Sequence, residues 1–425
     1  MRRLLLTLSF IAMPALSASG GAFAAPALFT GQPLAFERAA HAPVVGAYVP
    51  SWESVGVVDA IKPGSVSHLL YAFGRICGPG QREADAKLCE GRAPYTLAAG
   101  DKEAEFDAAF VRLKAREPAL KVVASVGGWA GSDPFFHLAP DAEKRAAFVA
   151  SCVEFLSTHT GFDGIDIDWE HPGDNGTANG VKLGAPVDGQ AYADLMTDLR
   201  SAFDALGKET GRRYLVTTAV NAGNKVVKRI NFRQAARSLD LVFMMSYDYY
   251  GPWSTGSGNH TAPNESGPAA DDGLNAAVRN FVMAGVPAAK LVAGVAMYGR
   301  GFAGVTKPVA GAAKTGDFPP AGIAGEAGAV TYRDIATRWL GPKGVGTAGF
   351  AARFDAATQS WSLWNAKTGD FVGYDDPRTV LIKGQYAKKA GLAGVFAWEL
   401  SQDNGDILNA MNLGVGNRAL PLSSR

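Results

Sequence analysis

Eight short apolar runs, alternating with stretches of helical spacing, predict an α/β protein built as a closed (β/α)8 TIM barrel. A single break in that alternation, late in the chain, predicts a small α+β insertion between strands 7 and 8. The runs are 44–49 (VVGAYV), 66–73 (VSHLLYAF), 120–126 (LKVVASV), 162–169 (FDGIDIDW), 214–220 (YLVTTAV), 240–247 (DLVFMMSY), 291–297 (LVAGVAM) and 392–398 (LAGVFAW). They are continuous apolar stretches of strand length, as strands buried on both faces should be. Between them, 102–116, 141–158, 189–207, 270–284 and 379–390 repeat apolar residues at helical intervals. The clearest, DAEKRAAFVASCVEFL, offers Asp141 as its N-cap. Eight strands that alternate with helices suit a closed barrel better than an open doubly wound sheet. Strands 7 and 8 are separated by roughly 95 residues, more than one helix and its loops need. Within that stretch 303–328 is rich in Gly, Ala and Pro, and SWSLWNAKTGDFVGYDDP at 360–377 has the pattern of hairpin strands. The expected organisation is a barrel from 43–302 and 373–416, with 303–372 inserted at a strand's C-terminal end beside the active-site mouth.

The composition is globular: 425 residues, 47% hydrophobic, 19% charged, with a formal charge of +1. That balance gives no electrostatic reason to expect nucleic acid or an anionic membrane as partner, and a monomer needs no extra assumption. The start, MRR, then LLLTLSFIAMPAL, then SASGGAFAAPA, has the basic end, apolar core and small-residue exit of a signal peptide. Residues 1–24 are therefore expected to be removed after Ala22-Phe23-Ala24, leaving a short lead-in at 25–42 and a secreted protein. The apolar run is short for a membrane span. Cys77 and Cys89 bracket a polar loop that a disulfide could close, as export permits. Cys152 lies on an apolar helix face and is expected as a buried thiol. No Cys/His cluster has zinc-like spacing, and no metal or cofactor is expected.

The segment GFDGIDIDWEHPG, 161–173, places four acids in an otherwise strand-like stretch. Side chains alternate along a strand, so Asp166, Asp168 and Glu170 share one face while Ile165, Ile167 and Trp169 share the other. No basic residue interleaves. Crowded carboxylates raise one another's pKa, which is poor for stability and useful for proton transfer. The segment also lacks the D-x-[DN]-x-[DN]-G pattern of a calcium loop.

Catalytic groups of such barrels come from the C-terminal ends of strands. Those ends supply Tyr48 and Trp52 from strand 1, Phe73 from strand 2, and Ser125, a glycine pair and Trp129 from strand 3. Strand 4 supplies the acids. Strand 6 gives Met245, Tyr247, Asp248 and Trp253; strand 7 gives Tyr298 and Arg300; strand 8 gives Trp398 and Glu399. Aromatic rings that stack on apolar sugar faces, beside polar groups that read hydroxyls, suit a carbohydrate.

The order SVGG, DGIDIDWE, MMSYD, YGRGF and a strand-8 Trp resembles glycoside hydrolase family 18, the chitinase family. The likeness covers nearly all of the mature chain and is closest to bacterial members carrying an α+β insertion, including WEHPG…LGAPVDGQAYADLM and WELSQDNGDILNAMN. The resemblance implies that chitin and chitooligosaccharides are the substrates. It implies Glu170 as general acid and base, Asp168 as the partner of the substrate's acetamido group, Asp166 sharing a proton with Asp168, and Tyr247 holding the acetamido carbonyl. Asp248, Met245 and Trp398 would contact the same sugar, with Ser125 and Tyr48 near Asp166. Arg300 and Tyr298 would bind hydroxyls, Trp52, Trp129 and Trp253 would stack further sugars, and Glu326 and Tyr332 would reach the chain from the insertion. Asp163, of opposite parity, would be structural. Relatives often carry an aromatic just before the acid equivalent to Glu326; here that residue is Gly325, which implies a looser grip. Two alternatives stay open: an endo-β-N-acetylglucosaminidase acting on N-glycans, and an inactive chitin-binding lectin.

Overall fold

The computed structural model describes residues 28–421; the expected leader, 1–24, lies outside them. Eight parallel strands close on themselves: β1 (Val44–Pro50), β2 (His68–Ile76), β3 (Lys121–Gly127), β4 (Gly164–Asp168), β5 (Leu215–Asn221), β6 (Leu241–Met245), β7 (Leu291–Ala296) and β8 (Gly394–Trp398). Each pairs with its sequence neighbours, and β8 pairs with β1 to complete the ring. Helices follow the strands: α1 (Gly56–Asp59), α2 (Glu103–Arg116), α3 (Ala142–Thr158), α4 (Asp188–Thr210), α5 (Phe232–Ser238), α6 (Leu274–Ala284), α7 (Pro377–Lys389) and α8 (Asp406–Val415). Asp141 caps α3, its carboxylate accepting from the backbone N–H groups of Glu143 and Lys144. α6 begins at Leu274 and not at 270 because Ala269 and Asp271 have φ of 61° and 59°, outside helical geometry.

The period-two alternation of the strands divides the apolar residues into two cores. Outward residues such as Val45, Ala47, Val49, Ile165, Ile167 and Trp169 pack under the helices with Phe148, Cys152 and Tyr192. Inward residues such as Val44, Tyr48, Leu70, Val123, Phe243 and Phe396 fill the barrel. Cys152 is a buried free thiol, and Cys77 and Cys89 are disulfide-bonded with Cα atoms 5.3 Å apart. Among the described residues no helix is long and apolar enough to cross a membrane.

Met297 donates to the Trp398 carbonyl at 2.8 Å, and the chain then leaves the barrel. Tyr298–Ala303 turns antiparallel to Asp370–Tyr374 and starts a second sheet that continues through Ser360–Asn365 to Ala351–Asp355. The inserted sheet thus spans 298–374, wider than 303–372, because the YGRGF strand finds its partner in the insertion. Tyr332, expected to overhang the cleft, is instead buried, its hydroxyl 3.3 Å from Asp406 of α8.

A buried ion pair holds the insertion to the barrel. Lys383 of α7 donates to Asp375, just past the inserted sheet, at 2.8 Å, to Thr261 at 2.6 Å and to the Gly294 carbonyl at 3.1 Å. Asp375 also accepts from the Ala296 backbone at 2.8 Å and from Thr261 at 2.8 Å. Both charged side chains are fully buried, so removing one strands the other. Lys383→Met is therefore expected to cost about 3–5 kcal/mol. A lowered guanidinium unfolding midpoint checks this, and an unchanged midpoint would contradict it.

Candidate active site

The inward positions of β4 carry Asp166 and Asp168, and the chain beyond the strand delivers Glu170. Strand register puts Ser125, Asp166 and Thr217 side by side in one layer. Asp166 is fully buried there; Ser125 Oγ donates to it at 2.8 Å, Thr217 Oγ1 at 2.7 Å and the Tyr48 hydroxyl at 3.3 Å. Burial raises its pKa to about 6, against the three hydroxyls that favour the charged form. Thr217 is unmarked in a sequence reading; its inward parity was visible, but its register against β4 was not.

Asp168 Oδ1 is buried and has no hydrogen-bond partner among the described residues. Burial, then the charges of Glu170 and Asp166, push this carboxyl well above its usual range. Burial and the charge of Asp248 raise Glu170 to about 8. A carboxylic acid that keeps its proton through neutral pH can act as a general acid.

Backbone contacts fix this segment. The fully buried Ser132 hydroxyl shares its one proton between the carbonyls of Gly128 at 2.8 Å and Asp168 at 2.9 Å, and accepts from Glu170 N–H at 2.9 Å. Gly128 N–H also reaches the Asp168 carbonyl, at 2.9 Å. Gly127 has φ 112°, and a Cβ there would lie 2.2 Å from that same oxygen, so the strand-3 turn requires glycine. Ser132 is another residue the sequence does not flag, since it acts from a loop turn.

One cleft of about 630 Å³ gathers Tyr48, Phe73, Trp129, Asp168, Glu170, Met245, Tyr247, Asp248, Trp253, Tyr298, Arg300, Glu326 and Trp398. His171, Asn221, Ile323, Ala329 and Gln402 join them without having been singled out. Its volume falls in the range of small-molecule sites. Trp398 forms the floor, stacked on Phe73 with ring centroids 5.5 Å apart, and Trp52 stands exposed 6.4 Å from it. Arg75 braces the floor from behind, 5.5 Å from the Phe73 ring and donating to the Gly127 carbonyl at 2.9 Å. Its neighbour Asp85, 3.7 Å away, lies in the loop that Cys77 and Cys89 close.

On the opposite wall Arg300 donates to Asp248 at 2.9 and 3.2 Å, pairs with Glu326, and lies 4.9 Å from the Trp253 ring. Burial pushes Asp248 upward, but His260 and Arg300 outweigh it and hold the carboxyl well below the usual range. Burial and the nearby charge of Asp168 raise Tyr247, so its hydroxyl keeps its proton. Asp163 lies at the other end of β4. It accepts from Val122 N–H at 2.9 Å and pairs with Lys114 at 2.8 Å, a fastening of strand to helix far from the cleft. Among the described residues no group of three or more His, Cys, Asp and Glu side chains is arranged to hold a metal ion.

The family model described as glycosyl hydrolases family 18 matches residues 44–403. Chitinase A of Pseudoalteromonas piscicida is 36% identical over 436 residues, an alignment covering 89% of this chain and 53% of that protein. A probable endochitinase of Orgyia pseudotsugata multicapsid polyhedrosis virus is 36% identical over 411 residues, covering 88% and 72%. Chitinase ChiA74 from Bacillus thuringiensis superposes with a TM-score of 0.74 at 28% identity, covering 88% of this chain and 69% of that one. The chain therefore spans about half the length of the Pseudoalteromonas protein and more of the other two.

The raised pKa of Glu170 has a consequence for stability. From its ordinary 4.5 up to about 8, the folded protein holds a proton that the unfolded chain has released, so stability falls as pH rises through that window. Glu170→Gln removes that contribution. Its thermal midpoint is expected to decline less than that of the wild type between those pH values, and parallel profiles would contradict the assignment.

Proposed function

This chain belongs to glycosyl hydrolase family 18, and from that premise we propose that it is a secreted chitinase acting on chitin and chitooligosaccharides. The observation that carries the proposal is the placement of Glu170, its carboxyl pushed upward by burial and Asp248, beside a buried Asp168 oxygen with no hydrogen-bond partner among the described residues, in a cleft floored by Trp398.

An N-acetylglucosamine unit stacks on Trp398, with its acetamido group turned toward Asp168 and Tyr247. Glu170 gives its proton to the glycosidic oxygen as the bond from that oxygen to the anomeric carbon breaks. The carbonyl oxygen of the sugar's own acetamido group bonds to the anomeric carbon from below, forming an oxazolinium ion where other retaining enzymes use a second carboxylate. Asp168 accepts the acetamido N–H and offsets the positive charge, and the Tyr247 hydroxyl donates to the acetamido oxygen. Holding that oxygen beneath the carbon makes attack intramolecular and lowers the barrier by several kcal/mol. The leaving chain departs with the proton. Glu170, now a carboxylate, takes a proton from water; the water oxygen bonds to the anomeric carbon, the five-membered ring opens, and the β configuration is kept.

Asp166 is the reserve of this sequence. Its three hydroxyl donors stabilise negative charge when Asp168 holds a proton, and the two carboxyls titrate as a coupled pair. Met245, Tyr298 and Arg300 shape the same sugar site, while Trp52, Trp129 and Trp253, all exposed, stack flanking units.

Proton NMR of N-acetylglucosamine tetramer hydrolysis tests the proposal. New reducing ends are expected first as the β-anomer, and Glu170→Gln should lose roughly 10²–10⁴-fold in turnover. The alkaline limb of kcat/KM is expected near pH 8, where Glu170 releases its proton. A wild-type protein that binds the tetramer without turning it over would be a lectin, and α-anomer product would exclude the acetamido nucleophile. Gly325 has open space where a side chain would stand, so the insertion adds no ring there. A low dimer-to-trimer product ratio on crystalline chitin is expected to follow from that weak grip, and a high ratio would contradict it.

A further inference from the structure

His260 is fully buried behind the cleft and does not line it. Its ring and its backbone both hold the turn that carries Asp248. Asp248 has φ 61°, a left-handed conformation that costs a non-glycine residue energy unless its surroundings hold it. Those surroundings are His260: its Nδ1 lies 3.2 Å from the Asp248 backbone nitrogen, and its carbonyl accepts from Tyr249 N–H at 3.1 Å. The other ring nitrogen, Nε2, lies 3.3 Å from the carbonyl of Tyr298, two residues before Arg300. One imidazole thereby spans the turn of the acid and the strand of its arginine. The neighbouring residue, Thr261, is fixed in turn by Asp375 and Lys383.

We propose that His260 is a positioning residue for Asp248, holding that acid's left-handed turn and its alignment with Arg300 through a neutral ring that accepts at Nδ1 and donates at Nε2. Nδ1 also lies 3.4 Å from the Asp248 carboxylate, but the ring's two hydrogen bonds are to the Asp248 main-chain N–H, which needs an acceptor, and to the Tyr298 carbonyl, which needs a donor, and together they select this tautomer. Burial lowers the ring's pKa, in keeping with a neutral form. The role rests on the proposed reaction, since Asp248 matters there through its charge. That charge is the second cause, after burial, of the proton Glu170 retains. The charged and titratable groups around this pair are Glu170, Arg300, Glu326, Tyr298 and Tyr247 on the cleft side and Asp375 behind His260.

Two measurements test the inference. The first needs no substrate: long-range proton–nitrogen NMR of histidine-labelled wild-type protein at neutral pH. An unprotonated Nδ1 and a protonated Nε2 are expected for His260, and a protonated Nδ1 overturns the proposal whether or not the protein is a chitinase. The second compares His260→Asn with His260→Gln on the tetramer across pH. Asparagine places its oxygen near the position of Nδ1, whereas glutamine places its amide nearer that of Nε2. His260→Asn is expected to keep the wild-type alkaline limb. His260→Gln should lose roughly tenfold or more in kcat and move the limb down by roughly one pH unit, as Asp248 ceases to support the proton on Glu170. In an Asp248→Asn background the same glutamine substitution should move the limb no further. Equal limbs in the two single variants, or a shift that survives Asp248→Asn, overturn the proposal. If His260→Gln does not fold, the tautomer and the Asn variant decide, and a shifted limb in the Asn variant counts against it.

Discussion

Negative charge crowded into a dry barrel mouth is the constraint on which the rest of this structure depends. Asp166, Asp168 and Glu170 follow one another at every second residue, all facing inward, where the low dielectric makes each ionisation costly and each neighbouring charge costlier. The molecule resolves the crowding by giving each carboxyl different company. Asp166 has three hydroxyl donors, Asp248 has Arg300 and a buried histidine beside it, and Asp168 is left with an oxygen that no donor meets among the described residues. Burial and neighbouring charge push both Asp168 and Glu170 toward their protonated forms, Asp168 through Glu170 and Asp166 and Glu170 through Asp248. Four acids of the same chemistry thus differ in protonation because their neighbours differ.

The scaffold supplies those neighbours by register. Ser125, Asp166 and Thr217 are adjacent because β3, β4 and β5 pair in that alignment, and a slip of one residue in β4 would turn Asp166 away from its two hydroxyl partners. Ser132 then holds the chain beyond the strand, where no ladder bonds remain, by joining the backbones of Gly128, Asp168 and Glu170. Behind the insertion, the Lys383–Asp375 pair fastens the second sheet to β7 and to the loop bearing Thr261. The wall that presents Arg300 is therefore seated on the barrel by buried polar bonds as well as by apolar packing.

Much of this was legible in the sequence because it depends on period and position within an element. Eight apolar runs, the parity of 165–170 and the aromatic strand ends need only local pattern, and the structure brings Tyr48, Phe73, Trp129, Met245, Tyr247, Asp248, Trp253, Tyr298, Arg300 and Trp398 to one cleft. Thr217 was hidden because strand register depends on the whole ring. Ser132 and His260 act from loops whose course no periodicity describes. Tyr332 was placed above the cleft by the family resemblance, yet a helical turn at Tyr332–Ile335 takes its ring inward to Asp406. The insertion's edges shifted for the same reason: Tyr298–Ala303 looks like a continuation of the barrel until its antiparallel partner is known.

The way Arg300 is shared between Asp248 and Glu326 bears on salt. Counted by residue type, the cleft is strongly acidic. In place, its guanidinium is divided between two carboxylates, and Glu170 retains a proton at neutral pH. An uncharged polysaccharide offers that surface no charge to attract at long range, so its approach depends on rings and short-range hydrogen bonds that mobile ions screen little. Contact between the two should then change little from fresh water to brine, the range over which long-range attraction between unpaired charges fades.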